Sequence, residues 1–243
     1  MKYIRHIMAL IICAALLFAC SCGNSREDEQ PEYTNTSQIN LYISPEGSGH
    51  FTTDENYSII INRGQILISD IVISSDSEEH EHEDDHQHAH TMRHEEVDEA
   101  GECHFHGTFA INLLESLFDL GFENTNPGVY SNLSLTVSQD NQQETVNLEG
   151  TANKGGVEYP FHVSLNMDES IALEHIGLEL ATGYYKRVKI VLEVDHWLDG
   201  VDISGANIED GIYCISDTMT PTLAGIIKEN IRDHILIEVM DDD

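Results

Sequence analysis

From Ile39 onward the sequence breaks into short runs in which about every second residue is apolar, and this period of two constrains the fold more than any other feature. The runs "INLYIS", "YSIIIN", "QILISDIVIS", "GVYSNLSLTVS", "ETVNLEGTA", "VEYPFHVSLNM" and "SIALEHIGLEL" place Ile, Val, Leu, Tyr and Thr at alternate positions, with "NPG" and "NKGG" as turns between some of them. Successive side chains of a strand point to opposite faces, so each run buries one face and wets the other. The expected fold is therefore mostly β, an antiparallel β-sandwich of Ig-like or Greek-key-like kind. "NRG" at 62–64 reads as the turn of a hairpin between two runs. Two segments depart from the period. "TPTLAGIIKENIRDHI" (220–235) sets Leu223, Ile226, Ile227 and Ile231 on one helical face, with Thr220 as N-cap and Pro221 at the first helical position. "NLLESLFDLGF" (112–122) reads as a short helix or single turn closed by Gly121. Tyr130 and Tyr185 each end a Gly-x-Tyr that opens a run, which makes both candidates for a sandwich corner.

The first residues follow a different logic. "MKYIRH" supplies Lys2 and Arg5, and "IMALIICAALLFA" is too short an apolar run for an ordinary membrane span. Leu17-Phe18-Ala19-Cys20 resembles the lipobox of bacterial lipoproteins. The resemblance implies a signal peptide over 1–19, cleavage before Cys20, and lipid on that cysteine. Residues 20–38 then form a polar tether, and 39–243 form the sandwich domain. Ser21 directly after the cysteine, and "REDE" at 26–29, resemble outer-membrane and surface-export signals. The implied location is the cell envelope, with the lipid as the only membrane contact.

Charge narrows the partners. The chain has 243 residues, with 44 Asp+Glu against 11 Lys+Arg and a formal charge of -33. Such a surface repels nucleic acid and draws in cations. The stretch from about 75 to 101 lacks any apolar period and is expected to be a disordered insertion. It holds His80, His82, His86, His88, His90 and His94 among dense Asp and Glu. Neutral imidazole is the commonest protein ligand for Zn, Cu and Ni, and carboxylates add oxygen donors. Irregular spacing in a loop favours several exchanging sites over one cage.

"CHFHG" (103–107) is different, because it opens a strand. Alternation puts His104 and His106 on one face, as half of an ordered metal site, and Cys103 on the other. Their partners come from a pool of His50, His162, His175 and His196, or from the loop. An extracytoplasmic setting permits a disulfide, with Cys103 and Cys214 as the pair; a thiolate ligand role for Cys103 is the alternative. "DHWLDGVD" (195–202) lacks the spacing and terminal Glu of an EF-hand, so its carboxylates are read as lining a turn beside the only Trp. No G-x-S-x-G or phosphate-cradling glycine loop is present, and no enzyme is expected.

With its lipobox, insertion, "CHFHG", "INLL" and "HWLDGVD", the chain loosely resembles extracytoplasmic β-sandwich lipoproteins with His-rich insertions. That likeness implies divalent-metal capture or buffering near an envelope metal transporter. Zinc is the expected ion, since His with carboxylate suits it; copper and nickel remain chemically open. The rival reading is an adhesin-like surface lipoprotein whose acidic loop serves solubility.

Overall fold

The structure, a computed structural model, describes residues 36–47, 49–75, 101–138 and 144–240. The expected signal peptide, Cys20, the tether through residue 35 and the six insertion histidines lie outside the described residues.

Strand β1 (Ser37–Glu46) shows why the period of two works: Ile39, Leu41 and Ile43 are fully buried while Gln38, Asn40 and Tyr42 reach solvent. It pairs in parallel with β10 (Tyr185–Glu193) and antiparallel with β5 (Phe118–Thr125). With β13 (Ile235–Met240) these make a four-stranded sheet in the order β13-β10-β1-β5. The second sheet has nine strands. Its main path is β11 (Asn207–Glu209), β12 (Ile212–Ser216), β8 (Val157–Leu165), β7 (Val146–Lys154), β3 (Ser58–Ser74), β6 (Gly128–Val137) and β9 (Glu169–Leu180). Two further strands, β2 (His50–Thr52) and β4 (Cys103–Asn112), pair with β3. The inner faces share one core that includes Ile68, Leu135, Val163, Ile190 and Trp197. The sandwich is as expected, although β1/β10 and β8/β12 are parallel pairs within it.

Three local expectations are corrected. Asn62-Arg63-Gly64 is no hairpin turn; β3 runs straight through it for 17 residues. A bulge against β7 absorbs the irregularity, and Gly64 is needed for closeness instead of turning: a Cβ there would stand 3.1 Å from Leu113 Cβ. Residues 112–122 are not helical. The chain turns after Asn112 and enters β5, where Asp119 Oδ1 accepts from Gly121 N at 2.8 Å. Tyr185 is half exposed, whereas Tyr130 is fully buried and makes the corner, its hydroxyl donating to Asn126 O at 2.7 Å. At "NKGG", Gly155 and Gly156 both have positive φ, the pairing that a tight two-residue hairpin demands.

Helix α1 (Pro221–Asp233) begins with Pro as expected and buries Ala224, Ile227 and Ile231. The Thr220 hydroxyl does not cap it; that oxygen accepts from Ser216 N at 3.1 Å. Asn230 Nδ2 ties the helix to the loop after β10 by donating to Trp197 O and Asp199 O.

The expected Cys103–Cys214 disulfide is not made. Both are free thiols. Cys103 faces the core from β4, and Cys214 lies on β12, across β3, β7 and β8. Four strand spacings come to about 19 Å, far beyond the Cα separation of about 7 Å that a bridge tolerates.

Candidate metal centre

The hairpin of β3 and β4 brings the relevant donors together. Asp70 stands opposite His106, and Val72 opposite His104. A bulge between Ile68 and Asp70 re-sets the register, so that Asp70 shares the outer face with the two histidines. Alternation along β4 buries Cys103 and Phe105 and turns His104 and His106 outward, as expected. One ligand atom from each of Asp70, His104 and His106 lies within 4.8 Å of the others. Tetrahedral ligands at zinc distances stand about 3.4 Å apart, so the three donors have to draw closer to share an ion.

The hydrogen bonds decide which nitrogens are free. His104 Nε2 lies 2.8 Å from Glu102 Oε2, and a carboxylate only accepts, so Nε2 carries the proton. Nδ1 then holds the lone pair. It is buried and has no hydrogen-bond partner among the described residues. His106 Nδ1 lies 3.2 Å from Asp70 Oδ1, which leaves Nε2 as its free nitrogen until an ion recruits the carboxylate. The rings stack with centroids 5.1 Å apart. A carboxylate behind an imidazole is the outer-shell support that metal-ligating histidines ordinarily have.

Cys103 takes no part. Burial, reinforced by Glu123, pushes its thiol up to about 12, and it points away from the histidines. Asp70 and Glu102 went unnoticed in the sequence; the only sign of Asp70 was a lone carboxylate inside the apolar run "QILISDIVIS".

The other histidines lie elsewhere. His50 Nε2 meets Ser58 Oγ at 2.8 Å, and His162 Nε2 sits 3.3 Å from Asn147 Nδ2. Together with Cys214 and Glu144, His162 lines a cavity of about 340 Å³. His175 is exposed at a positive φ on β9. His196 pairs with His234, a residue absent from the sequence-derived pool.

The carboxylates of 195–202 line a turn, as read from the sequence. Asp199 Oδ1 accepts from Asp54 N, and Asp202 Oδ1 accepts from Ser204 Oγ and Tyr57 Oη. The Ser204 and Tyr57 hydroxyls hold the Asp202 carboxyl below its usual range.

No known family model matches the sequence, and no curated protein does. Among solved structures, MbnP from Methylosinus trichosporium aligns with a TM-score of 0.43 and 8% sequence identity, over 85% of this chain and 99% of that one.

Proposed function

We propose that this protein is a lipid-anchored, extracytoplasmic binder of divalent metal ions, with zinc as its principal ion. It captures or buffers metal for an envelope transport system and catalyses no reaction. One observation carries the reading: a buried imidazole nitrogen, His104 Nδ1, without a partner among the described residues, beside a second histidine and an aspartate on one sheet face. A lone pair stripped of water and given no donor costs free energy unless an ion or proton fills the place. The charge of -33 raises the local cation concentration. Residues 76–100 join the two strands that carry the centre, so six further imidazoles are tethered within a short chain length of it.

Calorimetric Zn²⁺ titration of the full chain tests this. Wild type should show one tighter site above a group of weaker ones. The His104→Gln/His106→Gln variant should lose the tighter site and keep the weaker group. Replacement of residues 76–100 by a short Gly/Ser linker should do the opposite. Identical isotherms for wild type and the double variant would remove the ordered centre from the proposal.

A further inference from the structure

A second pair of imidazoles sits where β10 ends and α1 passes into β13. His196 closes a 3-10 turn, Val194–His196, and His234 caps the C-terminal end of α1. Their backbones are fixed from several sides. Glu193 N donates to His234 O at 3.0 Å, which extends the β10/β13 ladder by one rung. Asn230 holds the carbonyls of Trp197 and Asp199, and Val194, Trp197 and Leu198 are fully buried beneath.

The side chains repeat one chemical pattern twice. His196 Nδ1 lies 2.9 Å from Asp199 Oδ2, and His234 Nδ1 lies 2.9 Å from Glu193 Oε2. Each carboxylate accepts a hydrogen bond from Nδ1–H, so in the neutral ring the lone pair is left on Nε2. The two rings are parallel within 14° at a centroid distance of 4.5 Å, with side chains 46% and 32% exposed. Stacking alone is worth only about 1 kcal/mol and does not call for a fixed tautomer in both rings. Two imidazoles whose outer nitrogens are both freed by carboxylates match the second shell of a metal site. The field there is strongly negative: the hydrogen bond to Asp199, and then the charges of Asp195, Asp199 and Glu193, hold His196 above its ordinary histidine value.

We propose that His196 and His234 form a second site for a borderline divalent ion such as Cu²⁺, Zn²⁺ or Ni²⁺. Their Nε2 atoms are the ligands, Asp199 and Glu193 the orienting carboxylates, and water completes the coordination. The rings open from their stacked arrangement so that the two lone pairs converge on the ion. Residues 193–199 and 234 supply this site without Asp70, His104 or His106, so it stands or falls separately from that centre.

Trp197, the only tryptophan of the chain, is the neighbour of His196 and is fully buried. Bound Cu²⁺ quenches a nearby indole, whereas ions in free solution do not reach a buried one. Cu²⁺ added to the full chain should quench Trp197 emission to a saturating limit. The limit should persist in His104→Gln/His106→Gln and vanish in His196→Gln/His234→Gln. Asp199→Asn should move the midpoint about tenfold to higher Cu²⁺. Absence of quenching in wild type, or a quench unchanged in His196→Gln/His234→Gln, overturns the site. An unshifted emission maximum certifies the fold of the double variant; if it shifts, His234→Gln alone carries the same expectation.

Discussion

In the proposed metal centre, Glu102 has a role that needs no contact with the ion. By holding the proton on His104 Nε2 it commits Nδ1 to the ion, so Glu102→Gln, whose amide both donates and accepts, frees the ring to choose either tautomer. We expect Zn²⁺ affinity at the ordered centre to fall about tenfold with stoichiometry unchanged, measured by calorimetry. Loss of the site altogether would make Glu102 a ligand instead. Thiol chemistry separates the two cysteines in the same way. Alkylation of the native protein followed by peptide mapping should modify the partly exposed Cys214 and spare the buried Cys103. A Cys103–Cys214 cross-linked peptide would restore the disulfide. At this scale the sequence was informative where period two was unbroken: the outward His104 and His106 and the inward Cys103 follow from alternation alone. It was silent on Asp70, because a bulge decides which face that residue takes, and 44 acidic residues hide any single carboxylate.

Elements were legible wherever polar and apolar residues alternate, and misread where a glycine had two meanings. Gly64 looked like the end of a turn, yet it lies within β3 because Leu113 and Leu148 pack against its bare Cα. Gly150 on β7 is tighter still: a Cβ there would overlap Ile60 O and come within 2.7 Å of Phe161 Cζ. Backbone oxygen in a sheet cannot step aside, so Gly150→Ala should cost about 1–3 kcal/mol in urea unfolding. A neutral result would mean that β7 and β3 separate without penalty. Helix α1 is fastened to β9 by Arg232, whose Nε and Nη2 grip both oxygens of Glu169. The hydrogen bond from Arg232 holds the Glu169 carboxyl below its usual range. A lowered folded value means that the stabilisation is complete above the ordinary glutamate value of about 4.3 and is lost as pH falls through the folded one. Arg232 is partly exposed, and solvent screening limits the effect to about 0.5 kcal/mol. Wild type should exceed Arg232→Gln by that much at pH 7, and the difference should shrink as pH falls below about 4.3. A difference that persists in acid would belong to packing and not to the ion pair.

The whole molecule carries its charge as a constraint on stability. Folding crowds 44 carboxylates against 11 fixed cations, and screening relieves the repulsion. Raising NaCl from about 0.01 M to 0.3 M should therefore raise Tm by a few degrees, as the Debye length shrinks from about 30 Å to below 8 Å. Zn²⁺ at equal ionic strength should raise it further, because an ion bound only by the folded state adds its binding free energy. Equal Tm with and without Zn²⁺ would argue against ordered sites. A different constraint comes from β1. This first strand lies inside its sheet, and its parallel partner β10 is separated from it by more than a hundred residues of sequence. During synthesis β1 emerges early and must wait, with its parallel edge unfilled, until β10 and then β13 have been made. The small sheet is completed only when β13, the last of its four strands in chain order, has been made. A product truncated before β13 should therefore leave an early strand in an unfinished sheet, ready to pair with another molecule.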